Sequence, residues 1–143
     1  TRLRGDWSSD VCSSDLSLLP PMDQAYAALL ADLDQRGLLQ DTLVVWSGEF
    51  GRTPSLNGNK PAGRDHWPWV YTSVLAGGGI RGGLHVGSSD PQAAYPAENP
   101  IHVSRFVATI FHALGCSDTT LVHDVQGKPH HVMTARPLHK LFG

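Results

Sequence analysis

Glu49 and His66 are the two residues whose types and surroundings best suit chemistry. Glu49 sits in Gly48-Glu49-Phe50-Gly51, directly after the apolar run Leu43–Ser47. That run reads as a buried strand, so the carboxylate is left at its carboxyl end, where open α/β sheets present ligands and acids. Gly48 and Gly51 leave the backbone unobstructed, so a metal or substrate can come close. His66 follows a polar loop, beside Arg64 and Asp65, just ahead of a second β-rich run, Trp69–Leu75. Neutral imidazole is the commonest nitrogen ligand of zinc, and Asp65 or a backbone carbonyl would fix its tautomer. Arg52 and Arg64 each carry a fork of donors that matches an oxyanion. Plainer readings stand beside these. Glu49 would be a turn carboxylate paired with Arg52 or Arg64, His66 a loop histidine stacked on Trp67 or Trp69, and each arginine merely solvated.

Other constellations carry less. Gly77-Gly78-Gly79-Ile80-Arg81-Gly82 matches the dinucleotide-binding pattern in form only. No helix follows, and His102 stands about twenty positions on, where an acidic residue belongs. A glycine-rich turn between strands is expected instead. His123, His130, His131 and His139 match no compact helical or finger-type zinc spacing and read as surface or loop residues. His112 neighbours an apolar helical stripe and reads as structural. Cys116 has no neighbour in sequence that would activate it. Ser47-Gly48-Glu49 lacks the serine between two glycines of a nucleophile elbow.

The elements that must position Glu49 and His66 are legible from periodicity. Met22, Tyr26, Leu29, Leu30 and Leu33 recur at helical spacing, with Pro20 and Pro21 at the start and Gly37 at the stop. That helix feeds the strand Thr42–Ser47, whose two apolar faces predict a sheet covered on both sides. Gly51–Trp67 is a long polar loop, a length that compact domains keep for function. After Trp69–Leu75 and the glycine turn, Leu84–Val86 is expected to return as a short strand. Gly87–Pro100 reads as loop, its three prolines excluding a helix of any length. Val103, Phe106, Val107, Ile110 and Leu114 mark a second amphipathic helix, ended by Gly115. Cys116–Gly143 reads as irregular. The class is α/β.

Composition narrows the function. The chain has 143 residues and a net charge of −2, so it offers no basic nucleic-acid footprint. No apolar run approaches a membrane span. Fifteen glycines and ten prolines point to function carried on connections. The stretch Asp6–Leu16, DWSSDVCSSDL, reads as a translated sequencing adapter. Thr1–Leu16 is therefore expected to be an artefactual, disordered tail rather than a Ser/Asp-rich terminus. On that reading Cys116 is the sole genuine cysteine, and residues 17–143 are the C-terminal part of a longer domain.

The segments DLDQRGLLQDTLVVWSGEFGRTP, GRDHWPWVYTSVLAGGGIRGG, IHVSRFVATIFHALG and HDVQGKPH resemble the bacterial domain of unknown function 1501 family over nearly all of Ser17–Gly143. The GEFGRTP and GRDHWP pair carries most of that likeness. The family is sulfatase-like, within the alkaline-phosphatase superfamily. The resemblance implies the C-terminal part of an α/β/α sandwich with an incomplete, mainly parallel sheet. It implies a divalent metal (zinc, calcium or magnesium) with Glu49 and His66 as ligands, and Arg52 and Arg64 contacting an anionic ester substrate. In the superfamily the strand equivalent to Thr42–Ser47 ends in a small residue followed by Asp-His-Gly, which binds a divalent metal. Glu49 can replace the aspartate, but Phe50 has no donor atom to replace the histidine. The nucleophile and the other ligands belong to the N-terminal half, a partner this chain lacks, so no catalytic residue is expected here. Export or periplasmic location is likewise implied. The expected function is a sulfate- or phosphate-ester hydrolase, inactive as this piece. The alternative is a non-catalytic binding or structural module of an exported bacterial protein, with a decayed metal site.

Overall fold

The computed structural model describes residues 17–59 and 62–143, so the expectations for Thr1–Leu16 lie outside the described residues. Helix α1 spans Leu19–Gln35, with proline in its first turn where the missing N–H costs nothing. Its half-buried residues, Met22, Tyr26, Leu30 and Leu33, fall on the expected stripe. The helix ends in a Schellman motif. Gly37, at φ +68°, donates to the Asp34 carbonyl, and Leu38 donates to that of Leu33 at 2.8 Å. Helix α2, Val103–Ala113, ends the same way on Gly115 at φ +82°, and Cys116 donates to the Phe111 carbonyl. At its start His102 caps the helix, accepting from the Ser104 N–H. Both helices fall where the periodicity places them.

The strands depart more from expectation. β1 (Val44–Ser47), β2 (Gly51–Arg52), β3 (His66–Trp67), β4 (Ser73–Ala76), β5 (Ser88–Ser89), β6 (Pro96–Glu98), β7 (Leu121–His123) and β8 (Pro129–His131) form two-stranded pairs. The pairs are β1 with β4, β2 with β3, β5 with β6 and β7 with β8, each antiparallel. The chain is thus a mixture of helices and small antiparallel pairs, α/β in the general sense. A mainly parallel sheet is not seen among the described residues, because the loop after β1 folds back through β2 and β3 and delivers β4 running the other way. Ser47 and Ser73 close that pair with a hydroxyl contact of 2.7 Å. Val45 and Trp46 stay 39% and 44% exposed, so β1 is not covered on both faces. Trp46 meets α1 at Tyr26, their ring centres 5.6 Å apart and tilted by 48°.

Three further differences concern loops. The second β run forms a strand only at Ser73–Ala76, and Leu84–Val86 is irregular. Gly87–Pro100 contains β5 and β6 rather than loop alone, and the stretch after Cys116 holds the β7–β8 hairpin and a short 3-10 helix, His139–Leu141. The glycine run is the turn that was expected. A Cβ on Gly77 would lie 2.3 Å from the Thr42 carbonyl oxygen and 2.4 Å from that of Leu39, so the turn packs directly on the segment entering β1.

A small core sits under α2. Ala108, Met133, Leu138 and Leu141 are buried, and Thr109 is wholly enclosed. The Thr109 hydroxyl donates to the Arg105 carbonyl and accepts from the Leu138 N–H at 2.9 Å. One polar side chain thereby fastens the C-terminal segment to the helix.

Candidate functional site

The β2–β3 pair organises the site. Gly51 faces Trp67 and Arg52 faces His66 in register, and paired residues share a face of the ladder. Phe50 joins them: its ring lies 3.9 Å from the His66 ring, tilted by 35°, and the Arg52 guanidinium stands 5.7 Å from the Phe50 ring centre. Close approach of this segment to its neighbour demands glycine at 51, since a Cβ there would meet the Val70 carbonyl oxygen at 2.0 Å.

Glu49 lies in the exposed bend between β1 and β2. Neither Arg52 nor Arg64 pairs with it. The only ion pairs among the described residues are Arg36 with Asp32 and His130 with Asp124. His66 is exposed and stacks on Phe50, not on Trp67 or Trp69. Asp65 does not orient it. That carboxylate accepts from the Asn57 amide at 3.0 Å instead. The Arg64 guanidinium donates through Nη1 to the Thr53 carbonyl at 2.6 Å and to the Pro54 carbonyl. Arg52 donates to the Arg64 carbonyl at a long 3.5 Å and is otherwise open.

The long loop between β2 and β3 is internally fastened. Thr53 exchanges bonds with Asp65, donating its N–H to the Asp65 carbonyl and accepting the Asp65 N–H on its hydroxyl oxygen. Asn57 takes the Gly63 N–H on its side-chain oxygen and gives its own N–H to the Gly63 carbonyl. Asn57-Gly58 is a recognised turn signal of this loop, but the sequence does not show which groups the Asn57 side chain takes. Tyr95 has no such signal, and Trp67 and Trp69, expected as partners of His66, meet it instead. The Tyr95 ring lies 5.6 Å from Trp67 and 5.9 Å from Trp69, in a loop closed on the Asp90 carboxylate. Gly51, Arg52 and Trp69 enter the wall of an open cavity of about 880 Å³, which runs on to Ser88, Glu98 and Phe106. Glu49 and His66 do not line it.

No group of three or more His, Cys, Asp or Glu among the described residues could enclose a metal ion. Glu49 and His66 supply two donors at most, short of the three protein ligands of a typical catalytic zinc site. The chain therefore does not by itself fit the metal that its resemblance implies. No described helix is long and apolar enough to cross a membrane.

An α/β chain with a fastened loop and an arginine, a histidine and a phenylalanine on one strand pair is the class that fold and site define. By sequence it belongs to the family described as protein of unknown function, DUF1501, whose pattern matches residues 10–142. No curated protein matches the chain, and no solved structure matches it.

Proposed function

We propose that the chain is part of a sulfatase-like hydrolase of sulfate or phosphate esters, with the fold of an alkaline-phosphatase-type sandwich in the intact protein. The observation that carries the reading is the β2–β3 register, which sets the open guanidinium of Arg52 opposite the exposed imidazole of His66. A cation and a metal-type ligand side by side suit an anionic ester. Arg64 uses one nitrogen on its loop and keeps its remaining N–H groups for the same anion. Glu49 and His66 are two ligands of a divalent metal completed by residues from elsewhere in the protein. The chemistry such an ion would supply, when bound there, is Lewis-acid stabilisation of charge on an ester oxygen.

Metal content of a full-length family member tests this, with the counterparts of Glu49 and His66 changed to alanine. Loss of stoichiometric metal in both variants is expected. Metal retained in both would remove the ligand assignment.

Phe50 favours a second reading, a binding or structural module without catalysis. By the superfamily likeness it stands at the position of a metal-binding histidine, and its ring stacks on His66. Hydrolysis of aryl sulfate or aryl phosphate by the full-length protein would exclude that alternative.

A further inference from the structure

The asparagines of the chain are Asn57, Asn59 and Asn99, and their neighbours set them apart. Asn99 precedes Pro100, whose ring nitrogen carries no hydrogen, and Asn59 precedes Lys60, a residue with a long side chain. Only Asn57 precedes a glycine. The peptide nitrogen after an asparagine is a latent nucleophile toward the side-chain amide, and a glycine with no Cβ shields it least. Gly58 is exposed, a Cβ built on it meets nothing within 4 Å, and no described group accepts from its N–H. The Asn57 amide is fixed on both of its polar atoms. Its Oδ1 accepts from the N–H groups of Asn59 at 3.2 Å and Gly63 at 3.0 Å. Its Nδ2 donates to Asp65 Oδ1 at 3.0 Å.

We propose that Asn57-Gly58 is a site of spontaneous deamidation, and that the reaction unfastens the loop carrying Arg64 and His66. The two N–H donors on Oδ1 polarise the amide carbonyl and stabilise the negative charge that attack at Cγ places on that oxygen. The Gly58 nitrogen bonds to Cγ, the Cγ–Nδ2 bond breaks, and Nδ2 leaves as ammonia with the proton from Gly58. Water then opens the resulting five-membered imide at either carbonyl, giving aspartate or isoaspartate at position 57. Nothing is oxidised or reduced. The consequence follows from Asp65. Aspartate at 57 replaces the donor toward Asp65 by a second carboxylate, so like charges face each other where a 3.0 Å hydrogen bond stood. Isoaspartate routes the main chain through Cγ, which takes the acceptor of the Gly63 N–H out of its place. Asp65 lies between Arg64 and His66, so slack there reaches both. The reaction needs neither a metal nor an ester, so it stands apart from the hydrolase reading.

Ageing the full chain in mildly alkaline buffer, followed by peptide mapping with mass spectrometry, tests the site. Exchange of –NH2 for –OH is expected about tenfold faster at position 57 than at Asn59 or Asn99, and slower by a similar factor in Gly58→Ala. That variant has room for its methyl group, so it should fold and keep the comparison decisive. The effect on the loop is read from Asn57→Asp. This change should lower the melting midpoint of the parent and lower it far less in an Asp65→Asn background, where no second carboxylate waits. Position 57 reacting no faster than Asn59 and Asn99 would overturn the proposal. So would a loss in Asn57→Asp that Asp65→Asn does not reduce.

Discussion

Phe50 lies flat enough on His66 to fix one face of the imidazole, with the rings 3.9 Å apart and tilted by 35°. The contact ties the bend after β1 to β3, so it anchors the long loop at its mouth as well as orienting the histidine. An aromatic pair of this kind contributes about 0.5–1.5 kcal/mol beyond the area it buries. Phe50→Leu, which keeps most apolar area but loses the ring, should destabilise the chain by about that amount. Urea unfolding of the two proteins measures the difference, and equal midpoints would show that the ring contact contributes nothing.

Gly51 is the tightest point of the same strand pair. Any side chain there begins 2.0 Å from the Val70 carbonyl oxygen, and backbone cannot swing aside as a flexible side-chain tip can. Forced overpacking typically costs about 1–3 kcal/mol and sometimes more. Gly51→Ala should therefore lower the melting temperature and split the β2–β3 register, whereas Gly58→Ala, with nothing within 4 Å, should be nearly neutral. Thermal melts of the two variants make the comparison. A smaller loss at Gly51 than at Gly58 would refute the packing argument.

Thr109 is the polar centre of an otherwise apolar contact. Thr109→Val keeps its shape but strips the acceptor from the Leu138 N–H, and leaving a buried donor unpaired costs about 1–3 kcal/mol. Thr109→Ser keeps the hydroxyl and should lose less. Denaturant midpoints in the order parent, serine, valine are expected. Valine as stable as serine would mean that the Leu138 N–H finds another partner.

The helices were legible because each has an apolar stripe and a left-handed glycine at the stop, and the first also has prolines at its start. Gly37 and Gly115 adopt the positive φ that those stops require. The glycine run was legible for a related reason, since no helix follows it to receive a phosphate. Strand pairing was much less so. β2 and β3 are two residues long, too short for alternation to register, and their pairing depends on contacts across the loop such as Thr53 with Asp65. Arg52 and His66 could be nominated individually from chemistry, but their direct opposition is a matter of register. Phe50 was noted for what it lacks as a ligand, and its stacking on His66 had no sequence signal. The β7–β8 hairpin had one that was overlooked: Asp124 and Gly127 bracket a short turn, with Gly127 at φ +79° donating to the Asp124 carbonyl.

That hairpin gives the clearest pH dependence. The Asp124 carboxylate accepts from His130 Nε2 at 2.9 Å and from the N–H groups of Lys128 and Gln126. The His130 contact first, then the backbone donors, hold its pKa below the ordinary aspartate range, against a small opposing effect of burial. A carboxyl whose pKa is lowered by folding contributes stability that is fully present above the unfolded value. The contribution is lost as the pH falls through the lowered, folded value. The turn should therefore loosen in acid, below the usual aspartate range, and remain indifferent to pH between there and neutrality as far as this group is concerned. Asp124→Asn separates charge from geometry, because its amide oxygen can still accept from Gln126 and Lys128. The variant should retain the hairpin and lose the acid transition. Nuclear magnetic resonance shifts of the Val122, His130 and Val132 amides across an acid titration measure it. A transition that persists unchanged in Asp124→Asn would assign it to another group.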